Sequence, residues 1–192
     1  MLSRESSATL MNAVTAFIYK EARFQDEHQY QAWEALWTDD GIYWVPANGG
    51  DIDPEREMSV IYDNRSRISL RIKQLLTGKR HTQAPQSRLR RLVSNIELLD
   101  QQPGGDISVA SNSLVFESSL RDDTIWAARN EYRLRHVDGE PGDAQDLRRL
   151  GDGTSDQPAE DRGGRGSIQH QMTVDDPLVP VAVSPEFRAG HE

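Results

Sequence analysis

Apolar positions along this chain recur at two different periods, and the change from one to the other divides it. Leu10, Val14, Phe17 and Ile18 stand at helical spacing, with Ser6 and Ser7 placed before them as N-caps, and predict a first helix reaching Phe24. Tyr30, Trp33 and Trp37 then repeat at intervals of three and four, which gathers their rings on one side of a second helix. Asp26 and Glu27 suit the opening turn of that helix, where carboxylates meet the positive end of the macrodipole. Asp39, Asp40 and Gly41 supply turn chemistry, and Ile42, Tyr43, Trp44 and Val45 form a bulky, strand-prone run stopped by Pro46. A polar Gly/Pro/Asp loop over residues 47–57 leads to a short apolar run over 58–62. Ile68, Ile72, Leu75 and Leu76 predict a third helix, with Gly78 as its stop.

Beyond that point the period falls to two. Residues 88–99 read as one long strand, residues 101–105 as a turn, and residues 107–120 as the returning strand. After a turn at Arg121, Asp122 and Asp123, a third strand alternates Trp126, Ala128, Asn130, Tyr132, Leu134 and His136 with an increasingly charged opposite face. Helices first and antiparallel strands afterwards indicate an α+β domain over residues 1–139, its sheet covered on one side. Asp138 and Gly139 should turn the chain into a last strand, yet residues 140–166 are Gly-rich and acidic with few apolar side chains. Such a stretch does not repay its own ordering entropy, so residues 140–192 are expected to form a poorly structured tail.

Composition sharpens this division. The 192 residues are enough for one domain, and 36% hydrophobic content is low for a chain packed throughout. The net charge of -9 is unevenly placed: residues 1–136 carry 17 Lys+Arg against 19 Asp+Glu, and residues 137–192 carry 5 against 12. Within the near-neutral part, residues 64–96 hold nine basic side chains and no acidic one. Nucleic-acid binding calls for aromatic rings among such charges, and there are none, which favours a solvated helix face or a surface meeting an acidic partner. With no cysteine the chain can form no disulfide, iron–sulfur cluster or thiolate zinc site of its own. No apolar run approaches the ~20 residues that span a bilayer, and the N-terminus lacks a signal-peptide core, so the expected location is cytoplasmic.

The wording around the aromatic positions carries a resemblance. Residues 19–46, YKEARFQDEHQYQAWEALWTDDGIYWVP, together with Ile61, Tyr62, Asp63, Asn64 and Arg65, the LLTGKR of residues 75–80 and the SRLRRLVSN of residues 87–95, resemble the small (β) subunit of aromatic-ring-hydroxylating dioxygenases. The likeness covers about residues 8–139. It implies a cone-shaped, strongly bent sheet around the N-terminal helices, as in ketosteroid isomerase and scytalone dehydratase. It also implies a non-catalytic subunit partnered by a large (α) oxygenase subunit, three of each in a hetero-hexamer. The Rieske 2Fe-2S cluster and the mononuclear Fe(II) would lie on the large subunit, with NADH as electron source through a reductase and sometimes a ferredoxin. In that family a strand beginning near Trp-Arg follows the turn at Asp138 and Gly139. Here Pro141, Gly142 and Asp143 stand instead, and their codons in a shifted frame can spell Trp-Arg, so the tail reads either as natural or as a frame-shifted C-terminus.

Candidate chemistry is sparse. His28, His81, His136, His170 and His191 are scattered, without the spacing of a two-His-one-carboxylate iron site. There is no Gly-x-Ser-x-Gly elbow and no Gly-rich phosphate loop. The rival to a structural subunit is a cofactor-free acid–base isomerase or dehydratase, with Asp26 or His28 as the titrating group and Tyr43 or Tyr62 as hydrogen-bond donors in an internal pocket. For a structural subunit, Arg65, Arg88, Arg90 and Arg91 are the interface candidates, because guanidinium groups suit paired, partly desolvated contacts.

Overall fold

The computed structural model describes residues 4–47, 53–78, 85–101, 105–137 and 147–158. Three helices and six strands alternate as α1 (Arg4–Asp26), α2 (Tyr30–Glu34), β1 (Trp37–Pro46), β2 (Ser59–Asn64), α3 (Arg65–Leu76), β3 (Arg88–Gln101), β4 (Ile107–Ser118), β5 (Asp123–His136) and β6 (Leu147–Pro158). All six strands form one sheet in the order β2-β1-β6-β5-β4-β3, antiparallel except where β6 runs parallel to β1. The expected α+β architecture with a sheet covered by N-terminal helices is what the chain adopts.

The helical stripe of α1 fixes where the core lies. Leu10, Val14, Phe17 and Ile18 are buried, and they meet Ile107, Val109, Tyr132 and Leu134 from one face of the sheet and Ile68, Ile72 and Leu75 from α3. The aromatic positions join them edge to face: Trp33 and Trp37 lie 5.3 Å apart between ring centroids, and Tyr43 lies 5.8 and 5.6 Å from the two indoles. A smaller cluster of Leu89 and Val115 with Trp126 packed against it fills the other end. Bulges bend the long strands. One lies between Ser94 and Glu97, where Asn95 takes positive φ, and another between Leu98 and Asp100.

Several boundaries differ from the sequence expectation. Helix α1 is already formed at Arg4, so Ser6 and Ser7 lie within it rather than capping it. It runs to Asp26, which places Asp26 at its end and Glu27 in the following turn, not at the start of α2. Helix α2 has only five residues, and Trp37 belongs to β1. Its ring still meets that of Trp33, because the chain turns the corner between them. Asp39, Asp40 and Gly41 form an irregular segment inside β1: from Trp37 to Ile42 the strand takes five steps while β6 takes two, from Arg149 to Gly151. The α3 expectation stands, with Asn64 capping the helix by accepting from the Arg67 N–H at 3.1 Å and Gly78 at positive φ beyond its end.

The main correction concerns the C-terminal part. Residues 147–158, expected within a poorly structured tail, form β6 in the middle of the sheet, paired with both β1 and β5. It pairs with β5 along nearly its whole length and with β1 at Arg149 and Gly151, so pairing supplies the order that its side-chain pattern does not announce. The turn expected at Asp138 and Gly139, the point proposed for a frame shift near residue 140, and residues 159–192 lie outside the described residues.

Candidate functional site

Charge gathers at several places among the described residues, one inside the fold and others on its surface. The interior one is built on Glu21. Helix α1 presents Phe17, Glu21 and Phe24 along its packed side, so a carboxylate stands on an otherwise apolar stripe. It is 2% exposed and is engaged by Arg149 of β6 and by the Trp33 indole N–H, which donates at 3.1 Å. The Arg149 side chain is itself 4% exposed. Its guanidinium sits 4.7 Å from the Trp37 ring and 4.6 Å from the Tyr132 ring, held between two π faces. Main-chain bonds fix it further: Arg149 N–H donates to Leu36 O at 2.7 Å, and Thr38 Oγ1 donates to Arg149 O at 3.1 Å. This arrangement ties α1, α2, β1, β5 and β6 to one buried cation. Sequence reasoning missed it, although an acid at a core position of α1 was a signal that a buried partner must exist.

One surface place is a cleft of about 390 Å³ between α1 and β3, lined by Tyr19, Ala22, Arg23, Asp26, Arg90 and Leu92 among others. Its floor carries an ion pair of Asp26 with Arg91, whose backbone N–H also donates to Asp26 Oδ2 at 2.9 Å. Both side chains are nearly sealed from solvent, at 12% and 4% exposure, so the pair acts as a clamp between helix and edge strand.

The acid–base candidates are dispersed by this geometry. Asp26 is engaged by Arg91. His28, at positive φ, places Nδ1 3.0 Å from the Tyr30 hydroxyl and Nε2 2.8 Å from Ser87 O, which holds the chain ahead of β3. Tyr43 is buried in the aromatic core. Tyr62 is exposed and points to the other face of the sheet, since Tyr43 pairs with Asp63 and Trp44 with Tyr62 across β1 and β2. The structure does not bring these four side chains into one pocket.

The interface candidates separate into two kinds. Arg65 donates to Glu34 and to Ser69, at 2.8 and 2.7 Å. Burial alone would raise the Glu34 carboxyl, but its hydrogen bonds from Ser69 and Arg65 and the Arg65 charge outweigh this and hold it below its ordinary 4.5. Arg65 and Arg91 are thus engaged within the chain, whereas Arg88 and Arg90 are exposed on β3. Arg135 makes a further surface knot with Asp106 and Asp40. Its hydrogen bonds hold the Asp106 carboxyl below the usual range, while Thr38 and then Arg135 do the same for Asp40, and the guanidinium is raised in turn. Among the described residues no group of three or more His, Asp or Glu is placed to hold a metal ion, and no helix is long and apolar enough to cross a membrane.

A bent six-stranded sheet on N-terminal helices, cross-tied by buried and half-buried ion pairs, defines an α+β fold of the scytalone dehydratase type. Residues 20–143 match the ring hydroxylating beta subunit family, more than half of the chain, and the protein belongs to that family. The small oxygenase component of the p-cumate 2,3-dioxygenase system of Pseudomonas putida is 32% identical over 129 residues, 66% of this chain and 71% of its own. The beta subunit of toluate 1,2-dioxygenase from Pseudomonas putida is 34% identical over 97 residues, 48% of this chain and 60% of the relative. Among solved structures, naphthalene 1,2-dioxygenase superposes with a TM-score of 0.66 at 16% identity, covering 91% of this chain and 86% of its own. The beta subunit of benzoate 1,2-dioxygenase from Burkholderia mallei gives 0.60 at 17%, covering 75% and 88%. A scytalone dehydratase-type protein from Novosphingobium aromaticivorans gives 0.59 at 13%, covering 89% and 99%.

Proposed function

We propose that this chain is the non-catalytic small subunit of a multicomponent Rieske dioxygenase that hydroxylates an aromatic compound during its catabolism in the cytoplasm. The observation that carries this reading is the family match over residues 20–143, joined to a fold in which Glu21, Asp26 and Glu34 are each held in an ion pair within the chain. In this role the chain supports large (α) subunits in a three-plus-three assembly. The large subunits hold the Rieske 2Fe-2S cluster and the mononuclear Fe(II), and electrons arrive from NADH through a reductase. The small subunit contributes shape: a rigid core stabilised by the Glu21–Arg149 pair, and a charged surface on which Arg88 and Arg90 are available for contact.

The test is affinity isolation of the tagged chain from cells that co-express a large (α) oxygenase subunit of the same family of dioxygenases. Expected is a coloured complex with both polypeptides and iron, and a colourless, inert small subunit when it is made alone. A small subunit that does not bind the large one, or that alone isomerises or dehydrates a ketone or aromatic substrate, overturns the proposal.

A further inference from the structure

The walls around the Arg149 guanidinium are each held in place by something other than Arg149. The Glu21 carboxylate accepts from the Trp33 indole N–H at 3.1 Å. The Trp37 ring stands edge to face against Trp33 and Tyr43, at 5.3 and 5.6 Å between centroids. The Tyr132 hydroxyl lies 3.4 Å from Ser111 Oγ. Glu21, Trp37 and Tyr132 are all buried, and they come from three separate elements, α1, β1 and β5. A carboxylate beside two π faces, shut away from water, suits one chemical class above others: a flat, delocalised cation that stacks on rings and donates in a fork. An ammonium is a more strongly hydrated point charge, and a neutral urea of similar shape brings no charge to the carboxylate.

Strand β6 needs such a site. Its sequence, LRRLGDGTSDQP, has Leu147 and Leu150 three apart and no apolar alternation, and a strand whose pattern does not specify one face is prone to slip in register. It meets β1 at Arg149, opposite Trp37, and at Gly151, opposite Ile42. Its register against β5 shifts between those same two residues, since Leu134 pairs with Arg149 and Arg133 with Gly151. Arg149 is therefore the point at which the strand is located against both neighbours. We infer that Glu21, Trp37 and Tyr132 form a guanidinium receptor that stands ready without Arg149, and that docking of this one side chain sets the register of β6. With the Arg149 side chain removed, the receptor takes a small alkylguanidinium from solution. This goes beyond the assembly reading above and does not depend on it.

The experiment follows hydrogen exchange of the β6 amides in the full chain, unaltered and as Arg149→Ala, with millimolar ethylguanidinium, ethylammonium or ethylurea. Arg149→Ala speeds exchange along β6, beyond residue 149 and its immediate neighbours. Ethylguanidinium slows it again, saturably and by at least about tenfold at about ten times its dissociation constant. Ethylammonium and ethylurea do not, and none of the three alters the unaltered chain, whose receptor is filled. Adding Glu21→Gln to Arg149→Ala removes the rescue. Should Arg149→Ala fail to fold by itself, the readout is the yield of folded chain on refolding with each compound, and only ethylguanidinium raises it. The inference is overturned by β6 exchange that ignores Arg149→Ala, or by rescue that is absent from both readouts. Rescue that ethylurea or ethylammonium matches, or that survives Glu21→Gln, overturns it as well.

Discussion

Arg149 is the residue on which most of the interior depends. Removing one member of a buried pair leaves the other charge without compensation, so Arg149→Ala should lower unfolding free energy by about 3–5 kcal/mol. Replacing Glu21 and Arg149 together with Leu and Met should recover most of that loss, and urea titration of the two variants checks it. Asp26 offers a second reading at this scale. Because it clamps Arg91, Asp26→Asn should reduce stability by about 1–3 kcal/mol without abolishing any turnover by the assembled enzyme, measured as denaturation beside activity. Acid should act through Glu34, Asp40 and Asp106. All three are held below their ordinary values when folded, so the stability they add is present above about pH 4–4.5 and is lost as pH falls through the folded values. Arg135→Met should flatten that acid limb in urea titrations run at stepwise lower pH, since Asp106 and Asp40 then titrate nearer their ordinary range.

Elements were legible where side-chain period and burial agree. The stripe of α1, the faces of α3 and the alternation of β4 and β5 all follow from apolar spacing, because each packs one face on the core. The β6 strand was hidden for the opposite reason: Leu147 and Leu150 are almost its only apolar residues, and it is ordered by pairing on both sides and by the Arg149 contacts. The buried ion pair was hidden with it, since its two halves lie on the first helix and the last strand. Where β1 departs from β6, Gly41 permits a close approach that no periodicity reveals. A Cβ there would meet Thr38 O at 3.0 Å, the Trp37 ring at 3.1 Å and Arg149 O at 3.2 Å, two of them backbone atoms that cannot swing aside. Gly41→Ala should therefore cost about 1–3 kcal/mol by overpacking, seen as a lowered melting temperature.

At the scale of the molecule the family was legible from the wording of residues 19–95, whereas the way the fold separates the candidate side chains was not. The acid–base candidates, Asp26 or His28 with Tyr43 or Tyr62, were chosen by residue type, which carries no information on facing. The fold sends them to a clamp, a turn, the core and the opposite face. The place of β6 has one more consequence, for biosynthesis. The strand that joins β2-β1 to β5-β4-β3 is the last of the six to be made, so a chain still on the ribosome holds two half-sheets with facing unpaired edges and a lone acid in its first helix. The sheet therefore cannot close before residue 158 has been made, and a chain truncated before residue 147 should depend on chaperones for its solubility.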